Sequence, residues 1–164
     1  ATGAKAPTLY AEFVNKEGLF RAVLDRYISR FAAKHEALLF DDQKTVDQAL
    51  RDYFTAVATC FTSKDTPAGC FMINTSAALA ASSTDIANTI KSRHAVQEQT
   101  LTQFLQQRQQ RGELPAQGNV LQLAQFLNCV LQGMSISARE GADFATLKQI
   151  SDTTLRLWPQ ILQP

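Results

Sequence analysis

Apolar residues recur at intervals of three and four positions along most of the chain, and no stretch alternates convincingly with a period of two. Spacing of three and four places side chains on one face of an α-helix, whereas a strand would alternate. Long stretches rich in alanine, leucine and glutamine, with only seven glycines and five prolines, also favour helix. The pattern therefore predicts an all-α fold.

The predicted helices are separated by turns and begin at residues that commonly cap helices. Asn15, Asn119 and Asp143 are expected N-caps, and either Ser82 or Ser83 is expected to cap the longest helix. Gly112 is expected to end that helix in a left-handed conformation. The predicted helices cover approximately residues 7–13, 16–39, 45–62, 71–81, 84–111, 120–139 and 144–161.

The first twenty residues carry the most specific pattern. Gly3 suits a tight turn, and Pro7 fits the first turn of a helix, where its missing N–H has no partner to lose. Leu9 and Phe13 fall on one face of that helix, and Asn15 caps the next one. A short helix held by its apolar side on a longer helix is typical of the second half of a helix-turn-helix DNA-binding domain.

The opening residues resemble the end of the DNA-binding domain of the tetracycline-repressor (TetR) family of transcriptional regulators. The resemblance implies that residues 1–31 are the remainder of a helix-turn-helix domain and that residues 32–164 form a helical effector-binding and dimerisation domain. In that family a first helix and most of a second would precede Ala1, so we expect a missing N-terminal segment. The matching string is Gly3…Thr8-Leu9-Tyr10…Phe13…Asn15-Lys16-Glu17…Leu19-Phe20.

The resemblance also implies which residues contact DNA. The start of the short helix would enter the major groove, while the remaining positions would bind phosphates. A lysine stands where family members commonly have a capping serine, which leaves the start of that helix open. An alternative for the tyrosine is an aromatic side chain that only packs. The implied contacts are Lys5, Ala6, Pro7, Thr8, Tyr10 and Lys16.

Polar residues interrupt the apolar face of the predicted helix 84–111. Arg93 and Gln97 lie on that face, with His94 beside them. A buried polar group without a partner costs roughly 1–3 kcal/mol, so these residues indicate either internal partners or a cavity with solvent or ligand. The resemblance favours a small-molecule pocket; the alternative is an ordinary helical core. Candidate lining residues are Phe31, His35, Phe54, Val57, Phe61, Cys70, Phe71, Asn74, Arg93, Gln97, Leu101, Phe104 and Phe126.

The last two predicted helices are the candidate dimer surface. Small residues near the end of the first of them permit close helix approach, and Trp158 is the best candidate anchor because interface hot spots favour tryptophan. The alternative is a monomer whose tryptophan is internal. Candidate interface residues are Leu121, Gln125, Asn128, Gln132, Leu147, Thr154 and Trp158.

Three cysteines without a CxxC spacing are too few and too scattered for a disulfide framework or a zinc site, which favours reduced thiols in the cytosol. Cys70 falls at the predicted start of a helix, where the helix dipole favours thiolate. Redox or electrophile sensing is one interpretation of Cys70, and burial is the other, because unpaired cysteines are usually buried. Cys60 and Cys129 are expected in the core.

Charge and motifs limit the function classes. Net charge is +1, no apolar run reaches the length of a membrane span, and no phosphate loop, HExxH motif or catalytic grouping occurs. We therefore expect no catalytic residues, metal or cofactor, and no membrane partner. The resemblance implies a cytoplasmic, homodimeric repressor that a small-molecule effector releases from double-stranded operator DNA. The alternative is a helical dimeric ligand-binding or scaffolding protein without promoter regulation.

Overall fold

The computed structural model describes residues 6–79 and 83–162, and every regular element in these two ranges is helical. The prediction of an all-α fold is confirmed. A π-helical turn, Ile28–Ala32, joins the second and third helices. The helices are α1 (Ala6–Phe13), α2 (Lys16–Tyr27), α3 (Ala33–Ala37), α4 (Val46–Phe61), α5 (Phe71–Leu79), α6 (Thr84–Gln110), α7 (Val120–Arg139) and α8 (Phe144–Ile161).

Capping residues define most helix starts, as the sequence predicts. Asn15 accepts a hydrogen bond from the Gly18 N–H at 2.8 Å, and Thr45 forms a capping box with Gln48. Ser83, not Ser82, caps α6; Ser82 lies outside the described residues. Gly112, two residues after the end of α6, adopts a left-handed conformation with a φ of +78°. The predicted caps Asn119 and Asp143 are also confirmed.

The chain divides into two compact units, residues 1–34 and residues 35–164. In the first unit α1 packs on α2. A Cβ atom at Gly18 would lie 2.0 Å from the carbonyl oxygen of Phe13, so only glycine allows the end of α1 to approach α2 this closely. Val14, between the two helices, adopts a φ of +68° and is 84% exposed. This left-handed conformation is strained for a β-branched residue.

The second unit contains the main core. Helix α4 packs on α7 and α8, α7 packs on α6 and α8, and α5 packs on α6 and α7. Apolar positions three and four apart supply the buried side chains, as helical periodicity requires. The largest fully buried side chains of this unit are Leu39, Leu50, Phe54, Leu101, Phe104, Leu105, Leu123, Leu127, Leu131, Met134 and Leu147.

One feature of the helical run from Lys16 differs from the prediction. Apolar periodicity predicts an uninterrupted helix, but the run contains a π turn in which the Ala33 N–H donates to the Ile28 carbonyl, five residues back. Tyr27 and Phe31 contact each other across this turn, with ring centroids 5.4 Å apart. A single π turn inserted in an α-helix is often found at a functional position.

Candidate functional sites

The first unit presents polar positions at the starts of two helices. Pro7 and Thr8 are exposed in the first turn of α1, and Lys16 is exposed as the first residue of α2. Asn15 holds the start of α2 by its cap, and Gly18 holds α1 against α2. These contacts fix the backbone that carries Thr8 and Lys16. Lys5 lies outside the described residues, as do the side chains of Ala6 and Tyr10.

The second unit contains a cluster of buried polar groups around Tyr53. The Tyr53 side chain on α4 is buried, and burial raises the pKa of its phenol, while a hydrogen bond with Gln97 of α6 opposes that shift. Glu36 and Cys70 lie near enough to raise the pKa of Tyr53 further through their charges. Groups from α3, α4 and α6 and from the residue before α5 therefore meet in one region.

Three polar atoms from this region or its neighbouring turns are buried without a hydrogen-bond partner in the described chain. They are Asn74 Oδ1, His94 Nδ1 and Gln97 Oε1. The Asn74 amide is oriented by its Nδ2, which donates to the Ala68 carbonyl at 2.8 Å, so its oxygen is the unpaired acceptor. Burial also lowers the pKa of His94. Unpaired buried polar atoms favour a bound molecule or solvent at this place.

Two neighbouring groups of α3 carry shifted pKa values because they are partly buried. Burial lowers the pKa of His35 and raises the pKa of Glu36. Both shifts favour the neutral form of the side chain. Both shifts have the same cause, the partial burial of these α3 side chains within the second unit.

Most other predicted lining residues belong to the packed core. Phe54 and Phe104 are fully buried, and Leu101, Val57 and Phe61 are between 1% and 6% exposed. Phe71, Arg93 and Phe126 are partly buried. Phe31 belongs to the first unit. A role of these residues in ligand binding stays a prediction.

The predicted dimer residues fall into two groups. Leu121 and Gln125 of α7 are exposed, and Gln132 is partly exposed. In contrast, Leu147 has no exposed surface, because it packs inside its own chain. It is a core residue and cannot contact a partner chain. The remaining three are 5–6% exposed, and two of them have a buried polar atom without a partner; these three are Asn128, Thr154 and Trp158.

Sequence reasoning missed exposed apolar residues on the same two helices. Ile136 of α7 is 49% exposed, and Leu157 of α8 is 47% exposed. Ile136 lies fifteen positions after Leu121, which places both on one face of α7 together with Gln125, Cys129 and Gln132. That spacing was visible in the sequence. It shows that α7 has an outer stripe of mixed apolar and polar residues as well as an inner apolar one.

The three cysteines differ in burial. Cys129 is exposed on α7, so the expectation of a core position for it is wrong; its place on the outer stripe of that helix is the reason. Cys60 is only partly buried, near the end of α4. Cys70 is buried, as the second interpretation of that residue predicts.

Sequence reasoning also missed Arg108, for which it made no prediction. Arg108 is only 2% exposed, and its guanidinium donates to the carbonyls of Leu39, Asp41 and Lys44 and to Glu113 Oε1 at 2.6–3.2 Å. Arg108 lies four positions after Phe104, on the same helix face, and its guanidinium stands 5.2 Å from that ring. The cluster fixes the connection between α3 and α4.

Membrane and metal sites are not found in the part of the chain that the structure describes. None of the helices within residues 6–79 and 83–162 has the length and apolarity needed to cross a bilayer. Over those same ranges, no three histidine, cysteine, aspartate or glutamate side chains are grouped closely enough to hold a metal ion.

The chain is similar in sequence to known transcriptional repressors. Residues 47–152 match the family described as tetracyclin repressor-like, C-terminal domain. The chain is 71% identical over 163 residues to the HTH-type transcriptional repressor ComR of Escherichia coli strain K12, covering 99% of this chain and 78% of that protein. It is 29% identical over 140 residues to the HTH-type transcriptional repressor BdcR of the same strain, covering 85% and 65%.

A solved structure shares the fold. A cysteine-substituted variant of the TetR family transcriptional regulator CifR, solved with 26-bp double-strand operator DNA, superposes with a TM-score of 0.84 and 26% identity. The match covers 94% of this chain and 81% of CifR. The solved structure agrees with the helical fold described above, and the family model and the 71% identical relative point to the same family. The chain belongs to the TetR family of transcriptional regulators.

Proposed function

We propose that the protein is a transcriptional repressor that binds operator DNA as a homodimer in the cytoplasm and is released by a small molecule. The observation that carries this proposal is the α1–α2 arrangement, in which Gly18 and Asn15 fix a short helix with an exposed Thr8 and an exposed Lys16. The 71% identity to a repressor and the operator complex of CifR support it. We further propose that the protein acts as a regulator and not as an enzyme.

We propose that the first unit reads DNA. The start of α1, with Lys5, Ala6 and Pro7, would face base edges in the major groove, while Thr8, Tyr10 and Lys16 would bind phosphates. The N-terminus of α2 supports the role of Lys16, because the positive end of a helix dipole also attracts phosphate. In a two-fold dimer the two recognition helices would meet half-sites about 34–36 Å apart.

The effector would bind in the second unit, against the polar cluster around Tyr53. The unpaired acceptor Asn74 Oδ1, and the buried amide of Gln97, offer hydrogen bonds that the protein itself does not complete. Apolar side chains of α4 and α6 would supply most of the contact area. The effector releases DNA only if it binds the DNA-incompetent arrangement more tightly than the DNA-bound one.

The helical run from Lys16 to Ala37 offers a route for that coupling, because it belongs to both units. Pressure on its last turns, near Phe31 and His35, would change the direction of α2 and hence of α1. The dimer would form through the outer faces of α7 and α8. The exposed Leu121 and Gln125 and the partly exposed Gln132 support this surface, with Ile136 and Leu157 as additional apolar contacts.

The test is operator binding by the full-length protein, with the operator first located by footprinting. Lys16→Ala removes one cation from each protomer, so the slope of log affinity against log salt should become less negative by about 1 for each phosphate that is no longer neutralised. Tyr10→Phe should weaken binding without moving that slope as far, because no charge is removed. Lys64→Ala, an exposed lysine of the second unit, is the matched control. Unchanged operator affinity and salt slope in Lys16→Ala and Tyr10→Phe would contradict the assignment.

A further inference from the structure

Two cysteines lie at the two ends of the loop between α4 and α5, next to the Phe61–Gly69 hydrogen bond that closes it, here called the neck. Cys60 lies in the last turn of α4, and Cys70 immediately precedes α5. The Gly69 N–H donates to the Phe61 carbonyl at 2.9 Å, which closes the loop between them. Because this hydrogen bond joins the residue after Cys60 to the residue before Cys70, it holds the backbones of the two cysteines on opposite sides of the same loop closure. Their separation of ten positions in sequence gives no sign of this.

The electrostatics of the two thiols agree with that geometry. Burial raises the pKa of Cys60, and the neighbouring Cys70 raises it further. This influence agrees with a short distance between the two cysteines, because the interaction of charges falls with distance. Both residues are present as thiols, as is Cys129.

The backbone around Cys70 is held in place by α7. The Cys70 N–H donates to Ser135 Oγ at 2.8 Å, and the Cys70 carbonyl accepts the first hydrogen bond of α5 from the Asn74 N–H at 2.9 Å. Gly69 adopts a φ of +81°, and a Cβ atom there would lie 2.5 Å from the Ser135 carbonyl oxygen. The backbone at Gly69 and Cys70 is therefore held in place against α7.

We propose that Cys60 and Cys70 are a redox pair that a hydroperoxide converts to an intramolecular disulfide across the neck of this loop. The proposal goes beyond effector-controlled DNA binding, because it concerns a covalent modification of the second unit. Cys60 is the residue that reacts first, since it is partly exposed whereas Cys70 is 7% exposed.

The reaction balances with hydrogen peroxide as the only oxidant. The Cys60 sulfur attacks one peroxide oxygen, the O–O bond breaks, and the departing hydroxide takes a proton and leaves as water. The product is a sulfenic acid on Cys60. The Cys70 sulfur then attacks the Cys60 sulfur, the S–S bond forms, the S–O bond breaks, and a second water leaves with the Cys70 thiol proton. Two thiols and one peroxide yield one disulfide and two waters.

The experiment treats the reduced full-length protein with hydrogen peroxide and follows the intact mass and a non-reducing peptide map. We expect the loss of two hydrogen atoms, a cross-linked peptide that joins Cys60 to Cys70, and full reversal by dithiothreitol. Cys129→Ser should behave like the unsubstituted protein, because Cys129 is an exposed residue of α7 and takes no part in the proposed bond. Cys60→Ser should form no cross-link at all.

A second variant keeps the test decisive if one substitution prevents folding. In Cys70→Ser the Cys60 sulfenic acid has no sulfur to condense with, so dimedone should trap it in higher yield than in the unsubstituted protein. A cross-link through Cys129, or independent oxidation of Cys60 and Cys70 to sulfinic acids with no bond between them, would overturn the proposal. The measurement reads a covalent bond and not operator affinity, so its failure is distinguishable from failure of the proposed function.

Discussion

The two units of the chain are stabilised in different ways. Among the described residues of the first unit, only Phe20 and Leu24 are buried hydrophobic side chains, while Val14 and Val23 are 84% and 42% exposed. The second unit holds the rest of the buried core of the described residues, most of it on α4 to α8. Because burial of apolar surface contributes about 25 cal/mol per Å², most of the free energy of folding resides in the second unit.

This difference separates two kinds of substitution. The geometry of the first unit depends on a few backbone features, namely the Asn15 cap, the close approach at Gly18 and the strained Val14. Changes there should alter DNA binding more than the stability of the chain. The second unit depends on packing and on the Arg108 cluster, so changes there should first appear as reduced stability.

The largest expected effect is in the second unit. Arg108→Ala leaves three backbone carbonyls and the Glu113 carboxylate without their buried partner, and we expect the free energy of unfolding to fall by about 3–5 kcal/mol. Urea denaturation followed by circular dichroism measures it. Arg111→Ala is the matched control, because Arg111 pairs with the exposed Asp42 on the surface, and such pairs contribute about 0–1 kcal/mol. Equal losses of unfolding free energy in the two variants would show that the buried Arg108 cluster stabilises the fold no more than a surface ion pair does.

The next effect is in the first unit. Gly18→Ala places a Cβ atom where the Phe13 carbonyl oxygen stands, so α1 must move relative to α2. We expect operator affinity to fall by about tenfold or more, since strain of this kind costs about 1–3 kcal/mol. Electrophoretic mobility shift of the full-length protein measures the affinity.

Gly133→Ala is the control for this substitution. Gly133 is also helical, but a Cβ atom there would meet nothing within 4 Å in its own chain. The unfolding free energy should stay the same or rise, because alanine favours helix. If Gly18→Ala binds the operator as tightly as the unsubstituted protein, the rigid α1–α2 geometry is not what DNA recognition requires.

A third prediction concerns pH. Burial opposes ionisation of Glu113, but hydrogen bonds from Arg108 and from the Val46 N–H outweigh it and lower the pKa of Glu113. Because the folded-state pKa lies below the unfolded one, the stabilisation is complete above the ordinary glutamate pKa and is lost as the pH falls through the lowered value. Glu113→Gln should reduce the slope of stability against pH in that acidic range, measured as thermal midpoints between about pH 3 and 6. An unchanged slope would show that ionisation of Glu113 does not contribute to the loss of stability at acidic pH.

The smallest effect is expected at Val14. Val14→Gly removes a β-branched side chain from a φ of +68°, and that side chain is almost fully exposed. Relief of strain should exceed the added flexibility of the unfolded chain, so the α1–α2 segment should gain up to about 1 kcal/mol. Hydrogen exchange of the α1 amides reports this local stability. Faster exchange in Val14→Gly would mean that valine stabilises the turn.

The sequence contains enough local information to place most helices. Caps such as Ser83 and Asp143 act on backbone groups three residues away, so their role is visible in a short window of sequence. The same holds for the α1–α2 segment, whose pattern carried the family resemblance. The predicted contacts of Lys5, Tyr10 and the pocket residues remain predictions, because DNA and effector select them and neither is encoded locally.

The sequence by itself determined the helices, their caps and the family of this protein, because each depends on residues within a turn or two of one another. Only the tertiary structure decided that Arg108 is buried, that Leu147 belongs to the core and that a hydrogen bond between Phe61 and Gly69 closes the loop between Cys60 and Cys70. Each of these facts depends on which distant segment packs against a helix face. Periodicity identifies an apolar face, but the partner that covers it is chosen by the packing of the whole unit.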